Sequence, residues 1–285
     1  MSRIAYVNGR YEPHRSASVH IEDRGYQFSD GVYEVCEVRD GRLVDERRHL
    51  DRLDRSLKEM RIAKPMARAA LSVVMHEVVA RNRVRDGIVY VQITRGVARR
   101  DHAFPPPGTR PSVVVTARGI PRGRGEAEAA RGVAVITVPE TRWARPDIKS
   151  VSLLANVLAR QQAKEAGARE AWFVDRDGFV TEGSTSNAWI VTADGRVMTR
   201  PADTGILRGI TRTVLLDALK AMDLTLDERP FTPAQALAAR EAFVTAASQI
   251  VLPVVSIDGK PVGDGKPGPV ATALRHEFHR HAEFS

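Results

Sequence analysis

The sequence predicts an α+β protein built as two domains. Three observations carry this. Strand signals and amphipathic helical stripes are mixed along the whole chain rather than alternating in a strict βα repeat. The chain, at 285 residues, is long for a single hydrophobic unit. The stretch R-G-I-P-R-G-R-G-E has no apolar period and holds three glycines and a proline, which marks a boundary. The expected layout is a small α+β domain over 1–117, an interdomain linker over 118–127 and a larger domain over 128–285.

The first domain opens on a hairpin. Ile4, Ala5, Tyr6 and Val7 run into Asn8-Gly9 and then Arg10-Tyr11, and Asn-Gly supplies the positive φ angles of a tight primed turn. A second hairpin runs from Val32 to Val38, through Asp40-Gly41, to Leu43 and Val44. Alternation puts Tyr33, Val35 and Glu37 on one face and Val32, Glu34, Cys36 and Val38 on the other; neither face is wholly apolar, so one is a candidate cleft wall. Leu50, Leu53, Leu57 and Met60 form one helical stripe, and Leu71, Val74 and Val78 another. Strands are expected at 88–94 and 113–116. Between them R-G-V-A-R-R-D-H-A-F-P-P-P-G-T-R-P is too rich in Pro and charge to be regular, and a loop of that length in a compact domain is usually functional or mobile.

The second domain begins with a strand at 133–138. A helix over about 151–166 has Leu154, Val157 and Leu158 on one side. Strands follow at 171–174, 188–191 and 196–199. A helix opens at Gly209-Ile210-Thr211, with Ile210, Val214, Ala218 and Met222 facing inward. Strands at 242–245 and 250–257 precede a terminal helix. There is no internal repeat.

Composition narrows the function classes. The hydrophobic fraction is 43% and the charged fraction 27%, ordinary for a soluble globular protein. The formal charge is +8, but acids are interleaved with the bases, as in R-R-H-L-D-R-L-D-R, and no block of like charge carries interleaved aromatics. That describes a diffusely Arg-rich surface rather than a nucleic-acid face. The single cysteine, Cys36, excludes an intrachain disulfide and any multi-thiolate metal site, which suggests a reducing cytoplasm. In its strand setting it reads as a small packed apolar group. The N-terminus has no apolar signal core and no segment has membrane-spanning length, so a soluble, unprocessed protein is expected.

The residues that could carry chemistry are few. Of seven lysines, Lys58, Lys164 and Lys220 fall on polar helix faces and Lys64, Lys260 and Lys266 lie beside Pro or Gly in turns. Lys149 differs, standing between Ile148 and the apolar run at Val151, at the mouth of the expected helix. Partial burial there would favour a nucleophilic amine; spacing alone leaves a surface lysine open. Glu182, in T-E-G-S-T-S-N, reads either as an exposed acid before a polar turn or as a carboxylate partner for a cofactor ring nitrogen, with small hydroxyl residues letting backbone approach. Gly209-Ile210-Thr211 is either a simple helix start or an anion site of unpaired N–H groups. No phosphate-loop or dinucleotide fingerprint is present. His276, His279 and His281 lack metal-ligand spacing and read as solvated.

Taken together, these segments resemble the class IV, fold-type IV pyridoxal-phosphate aminotransferases, and within them the D-amino-acid aminotransferases. The matching segments are D-R-G-Y-Q-F-S-D-G-V-Y-E-V, H-L-D-R-L, R-R-D-H-A-F-P, T-R-W-A-R-P-D-I-K-S, T-E-G-S-T-S-N and G-I-L-R-G-I-T-R, in the family's order across nearly the whole chain. The resemblance implies a small α/β sandwich domain beside a larger pseudo-barrel domain, and pyridoxal 5'-phosphate as cofactor. It implies that Lys149 holds the cofactor covalently and moves the proton at the substrate Cα. Glu182 would hold the ring nitrogen, Leu207 would pack on the ring, and Arg52, Ile210 and Thr211 would bind phosphate, with Ser186 and Ala247 completing the cofactor set. For Arg52, periodicity alone gives only a solvated arginine off the apolar stripe. Tyr33, Arg100 and His102 match the substrate-carboxylate trap, with Val35 beside the side chain of the substrate. The family's loop reaches into a neighbouring subunit, implying a homodimer. In Thr245-Ala246-Ala247-Ser248, alanines stand where hydroxyl residues often assist phosphate, leaving backbone donation from Ala247. The expected reaction transfers an amino group from a D-amino acid such as D-alanine to a 2-oxo acid such as 2-oxoglutarate. Same-fold alternatives are a branched-chain L-aminotransferase, an aminodeoxychorismate lyase and an R-selective amine transaminase; nucleic acid and membrane are not expected partners.

Overall fold

The computed structural model describes residues 3–285. Contacts divide the chain into two compact units, residues 1–122 with 148–152 and 283–285, and residues 123–147 with 153–282. The first unit therefore takes back a five-residue segment, containing Lys149, from the middle of the second.

In the first unit, β1 (Ile4–Val7) and β2 (Arg10–Pro13) form the expected hairpin, with Asn8 and Gly9 at φ of 46° and 96°. A short helix, α1 (Arg24–Phe28), is capped by Asp23, whose carboxylate accepts from the Gly25 N–H at 2.8 Å; its five residues are too few to show a period. β3 (Gly31–Arg39) turns at Asp40-Gly41 into β4 (Arg42–Leu43). Helices α2 (Glu46–Glu59) and α3 (Arg68–Arg81) precede β5 (Gly87–Thr94) and β6 (Ser112–Gly119). The sheet runs β2-β1-β6-β5-β3-β4 and is antiparallel throughout. Both helical stripes meet one face of it: Leu50, Leu53 and Leu57 of α2 and Leu71, Val74 and Val78 of α3 share a core with Val32, Cys36, Val38, Val91 and Val115. Cys36 is buried there, and burial pushes its thiol well above the ordinary range. On β3 every second side chain from Val32 to Val38 is buried while Tyr33, Val35 and Glu37 are half-buried, as alternation requires.

All of α4 (Arg122–Arg131) but its first residue belongs to the second unit, so part of the expected 118–127 linker is helical, Arg118 and Gly119 complete β6, and Ile120 and Pro121 lie between. The segment lacks an apolar period because the helix buries only Ala129. Ala, Glu and Arg are good helix formers, and Glu126 and Glu128 are held by Arg275 at 2.9 Å and Arg169 at 2.6 Å. There follow β7 (Val133–Pro139), α5 (Leu154–Glu165), β8 (Glu170–Val174), β9 (Val180–Gly183), β10 (Asn187–Val191), β11 (Val197–Thr199), α6 (Ile210–Ala221), β12 (Leu226–Glu228), α7 (Pro233–Leu237), β13 (Glu241–Ala246), β14 (Ile250–Ile257), β15 (Lys260–Pro261) and α8 (Pro269–His281). The sheet path is β12-β11-β10-β13-β14-β7-β8-β9 with β15 on β14. β9 ends this path, yet it turns directly into β10 through a Gly183 N–H to Ser186 carbonyl bond of 2.6 Å. Strands separated by four others in the ladder are thus joined by a tight turn, so the sheet curls into a partial barrel. Trp172, Val180, Ile190, Val244, Leu252 and Val254 fill its core.

The helix expected from about 151 begins instead at Leu154. The residues before it are tied to β3, with the Tyr33 N–H on the Lys149 carbonyl and the Val151 N–H on the Gly31 carbonyl, both at 3.0 Å. A second departure lies on α5 itself. Its apolar stripe is not buried within the chain: Leu154, Val157 and Leu158 are 72%, 59% and 61% exposed.

Candidate active site

Lys149 is placed by a β-bridge, not by a helix mouth. Ser150 pairs with Val32, and Ile148 is anchored in the first unit's core, which fixes the backbone on both sides. The half-buried Lys149 amine then lies 4.1 Å from the centre of the Tyr33 ring. A cationic group on an aromatic face is favourable, and no helix starts at Lys149, since α5 begins at Leu154. Tyr33 packs against Tyr90 with ring centres 5.6 Å apart, and burial pushes the Tyr90 phenol up to about 12, so it stays protonated. Val35 follows on the same half-buried face of β3.

Glu182 is buried, correcting the reading of an exposed acid at a strand end. β9 directs it inward, where one carboxylate oxygen accepts from Arg142 and the other from the Asn187 amide at 2.9 Å, while the Leu207 N–H reaches both at 3.2 Å. Arg142 is also held by Glu140 at 2.6 Å. Burial raises the Glu182 pKa against the pull of Arg142, whereas the Glu140 carboxyl is held low by the Arg142 guanidinium despite its burial. Two carboxylates share one guanidinium, so the cluster carries one negative charge in excess.

The turn after Glu182 is organised by a residue outside the motifs. Glu170 accepts from the Ser184 hydroxyl, from the Thr185 hydroxyl at 2.7 Å and from the Ser186 hydroxyl at 3.0 Å. Ser186 therefore spends its side chain on Glu170 rather than presenting it outward. Gly183 is required here, because a Cβ would stand 2.3 Å from the Ser186 oxygen.

Asn187 ties this turn to the start of α6. Its amide also donates to the Leu207 carbonyl at 2.9 Å, and a Cβ on Gly209 would come within 2.1 Å of its oxygen. Gly209 is the N-cap of α6 and no side chain caps that end; Ile210 and Thr211, the first helical residues, are buried. Asn187 also stands opposite Thr245 in the ladder, which brings the turn carrying Ala247 after β13 to the same end of the sheet. Thr245 itself accepts from the Trp189 ring N–H at 3.0 Å.

Arg52 is not solvated. Its guanidinium grips Glu34 with two bonds of 2.7 and 2.8 Å, and His49 meets the same carboxylate at 2.7 Å. A carboxylate buried on the inner face of β3 needs a cation and further hydrogen-bond partners, and α2 supplies Arg52 as the cation and His49 as a hydrogen-bonding ring. Despite burial, Arg52 and His49 hold the Glu34 carboxyl far below the usual range; burial lowers the His49 pKa. Arg100 and His102 lie exposed in the loop between β5 and β6, and both meet the Phe28 ring of α1, Arg100 at 4.7 Å and His102 at 5.3 Å.

The donor set of the second unit suits pyridoxal phosphate. The excess negative charge around Glu182 matches a protonated ring nitrogen, because the one guanidinium of Arg142 serves both Glu182 and Glu140. The uncapped start of α6 offers N–H groups to a phosphate. Arg142 and Asn187 lie inside the motifs and Glu170 outside them, but nothing in spacing separates a residue that supports a carboxylate from one on the surface. Among the described residues no group of three or more His, Cys, Asp or Glu side chains could hold a metal ion, and no helix is long and apolar enough to cross a membrane.

Residues 31–257 match the family model for amino-transferase class IV, and the chain belongs to that family. At a finer level it is 42% identical over 275 residues to a D-alanine aminotransferase of Bacillus licheniformis, covering 95% of each chain. It is 38% identical to a D-alanine aminotransferase of Staphylococcus haemolyticus, covering 98% of this chain and 97% of the relative. Among solved structures it superposes on a T.th. branched-chain amino acid aminotransferase with pyridoxamine 5'-phosphate. That match has a TM-score of 0.89 and 27% identity, over 98% of this chain and 94% of the other. The fold is accordingly fold-type IV.

Proposed function

We propose that the protein is a pyridoxal-phosphate-dependent transaminase that moves the amino group of a D-amino acid of the D-alanine type to a 2-oxo acid such as 2-oxoglutarate. The observation that carries this reading is the near-complete alignment, at 42% identity, with a D-alanine aminotransferase, together with an Arg100-Asp101-His102 loop suited to hold a carboxylate. When bound, the cofactor supplies an aldehyde that captures amino groups and a ring that takes up the electron pair left at the substrate Cα. The Lys149 amine holds the resting cofactor and, once displaced, takes the proton from the substrate Cα and returns it on the cofactor side. Glu182 keeps the ring nitrogen protonated, its charge held in place by Arg142 and Asn187. Ile210, Thr211 and Ala247 hold phosphate through backbone N–H groups, Arg52 is assigned to the same phosphate, and Leu207 covers the ring. The role of Ser186 is to hold the turn through Glu170. Tyr33, Arg100 and His102 orient the substrate carboxylate, and Val35 bounds the space for its side chain.

The exposed Leu154-Val157-Leu158 stripe supports assembly as a homodimer, since an apolar helical face of this kind marks an interaction surface. A lone, buried Cys36 fits a cytoplasmic enzyme. Assaying D-alanine and L-alanine separately with 2-oxoglutarate tests the reading: the D isomer is expected to be consumed, and turnover of the L isomer alone would refute the stereochemical assignment. L-leucine discriminates the branched-chain activity named for the structural relative.

A further inference from the structure

The geometry points to Arg24 as a positioning residue for the substrate-binding loop, a role distinct from that of any residue assigned above. This rests on the reading of Arg100 and His102 as the carboxylate-holding pair. The Arg24 side chain is 4% exposed, and its Nε donates to Asp30 at 2.8 Å. From that anchor Nη1 donates to the carbonyl of Asp101 at 2.6 Å and Nη2 to that of His102 at 3.4 Å. The two acceptors are backbone oxygens within the R-D-H triplet, so one buried guanidinium holds the loop between and beside its two functional side chains.

The anchor is itself rigid. Asp30 also receives Arg95 through bonds of 2.7 and 2.9 Å, and Arg95 continues to the carbonyls of Met60 and Arg61, each at 2.8 Å. Two guanidinium groups hold the Asp30 carboxyl below its ordinary range despite burial. Further along, Phe104 lies under Arg95 at 3.7 Å and under Arg61 at 4.7 Å. Nearer the triplet, the Phe28 ring is shared by Arg24, Arg100 and His102. The loop is thus clasped at 101–102 and again at 104, while the Arg100 and His102 side chains stay exposed. A long side chain on an untethered loop loses far more freedom on gripping a carboxylate than one whose backbone is already fixed. Arg24 lowers that cost for the D-amino acid and for the oxo acid alike, because both present a carboxylate.

The test uses the Arg24→Met holoenzyme, with Arg24→Lys as the conservative variant. For Arg24→Met the KM for D-alanine should rise about tenfold with a smaller change in kcat, and the cofactor absorbance should remain. Hydrogen–deuterium exchange, which needs no substrate, should quicken over 99–104 while the amides of β5 and β6 keep wild-type protection. Arg24→Lys should restore part of both effects. If Arg24→Met does not fold, Phe28→Leu, which removes the shared ring, should move the same two readouts in the same direction. A folded variant with wild-type exchange over 99–104, or with faster exchange but an unchanged KM, overturns the proposal. A wild-type enzyme inert toward D-alanine whose loop still loosens on Arg24→Met refutes the substrate assignment while upholding the tether.

Discussion

At the scale of single residues, the surroundings of an ionisable group matter more than its identity. Lys149 is one of seven lysines, and what distinguishes it is a backbone locked to β3 and an amine over the Tyr33 ring. Lys149→Ala should lose the Schiff-base absorbance and lower kcat by about a thousandfold or more, the contribution expected of a positioned acid–base group. Borohydride trapping and peptide mapping check the attachment; a label on another lysine would move the role there. Glu182 and Glu34 are both buried carboxylates with cationic partners, but they differ in balance. Glu34 faces Arg52 and His49 together, whereas Glu182 shares Arg142 with Glu140. Their pKa values accordingly move in opposite directions, and only Glu182 retains unmet demand for a positive partner.

At the scale of elements, the tight turn between β9 and β10 depends on Glu170. Replacing it with Gln substitutes a donor for one of two acceptor oxygens that receive the Ser184, Thr185 and Ser186 hydroxyls. Glu170→Gln should destabilise the protein by about 1–3 kcal/mol, read as a lower urea midpoint at constant m; an unchanged midpoint would show the turn is held elsewhere. On α5 the exposed stripe makes a separate prediction. Leu158→Lys places a charge on the apolar face and should halve the mass seen by sedimentation equilibrium if the wild type is a dimer through this face. A variant that still sediments with the wild-type mass would place the subunit contact on another surface.

For the whole molecule, pH should act in one direction over most of the acid range. His49 has a folded pKa below its ordinary 6.5, so the unfolded chain takes up its proton first and stability falls as pH drops through 6.5. Glu34 has a folded pKa below its ordinary 4.5; its contribution is present above 4.5 and is lost as pH falls further. Asp30, Glu46, Glu140 and Asp175 share the sign of Glu34, and Asp45 and Glu182, whose pKa values are raised by burial, oppose it. Thermal midpoints measured from pH 8 to pH 4 should therefore fall, beginning near 6.5 and steepening below 4.5. A midpoint that rises toward pH 4 would show that the Asp45 and Glu182 contributions dominate.

Much of this architecture could be read from residue order alone. Turn chemistry at Asn8-Gly9 and Asp40-Gly41 and the stripes of α2 and α3 are local, because φ preference and apolar period act over a few neighbouring residues. The functional segments were legible in the same way, as short motifs in a fixed order. Elements without a local period, α1 and α4, were not: one is held by a cap and the other by distant arginines. Nor could the chain order show that Arg52 and His49 belong to Glu34, that Arg24 holds the carbonyls of Asp101 and His102, or that Leu154, Val157 and Leu158 stay uncovered. Those outcomes depend on which groups share a buried volume, and burial with its demand for charge and hydrogen-bond partners exists only once segments remote in sequence have packed.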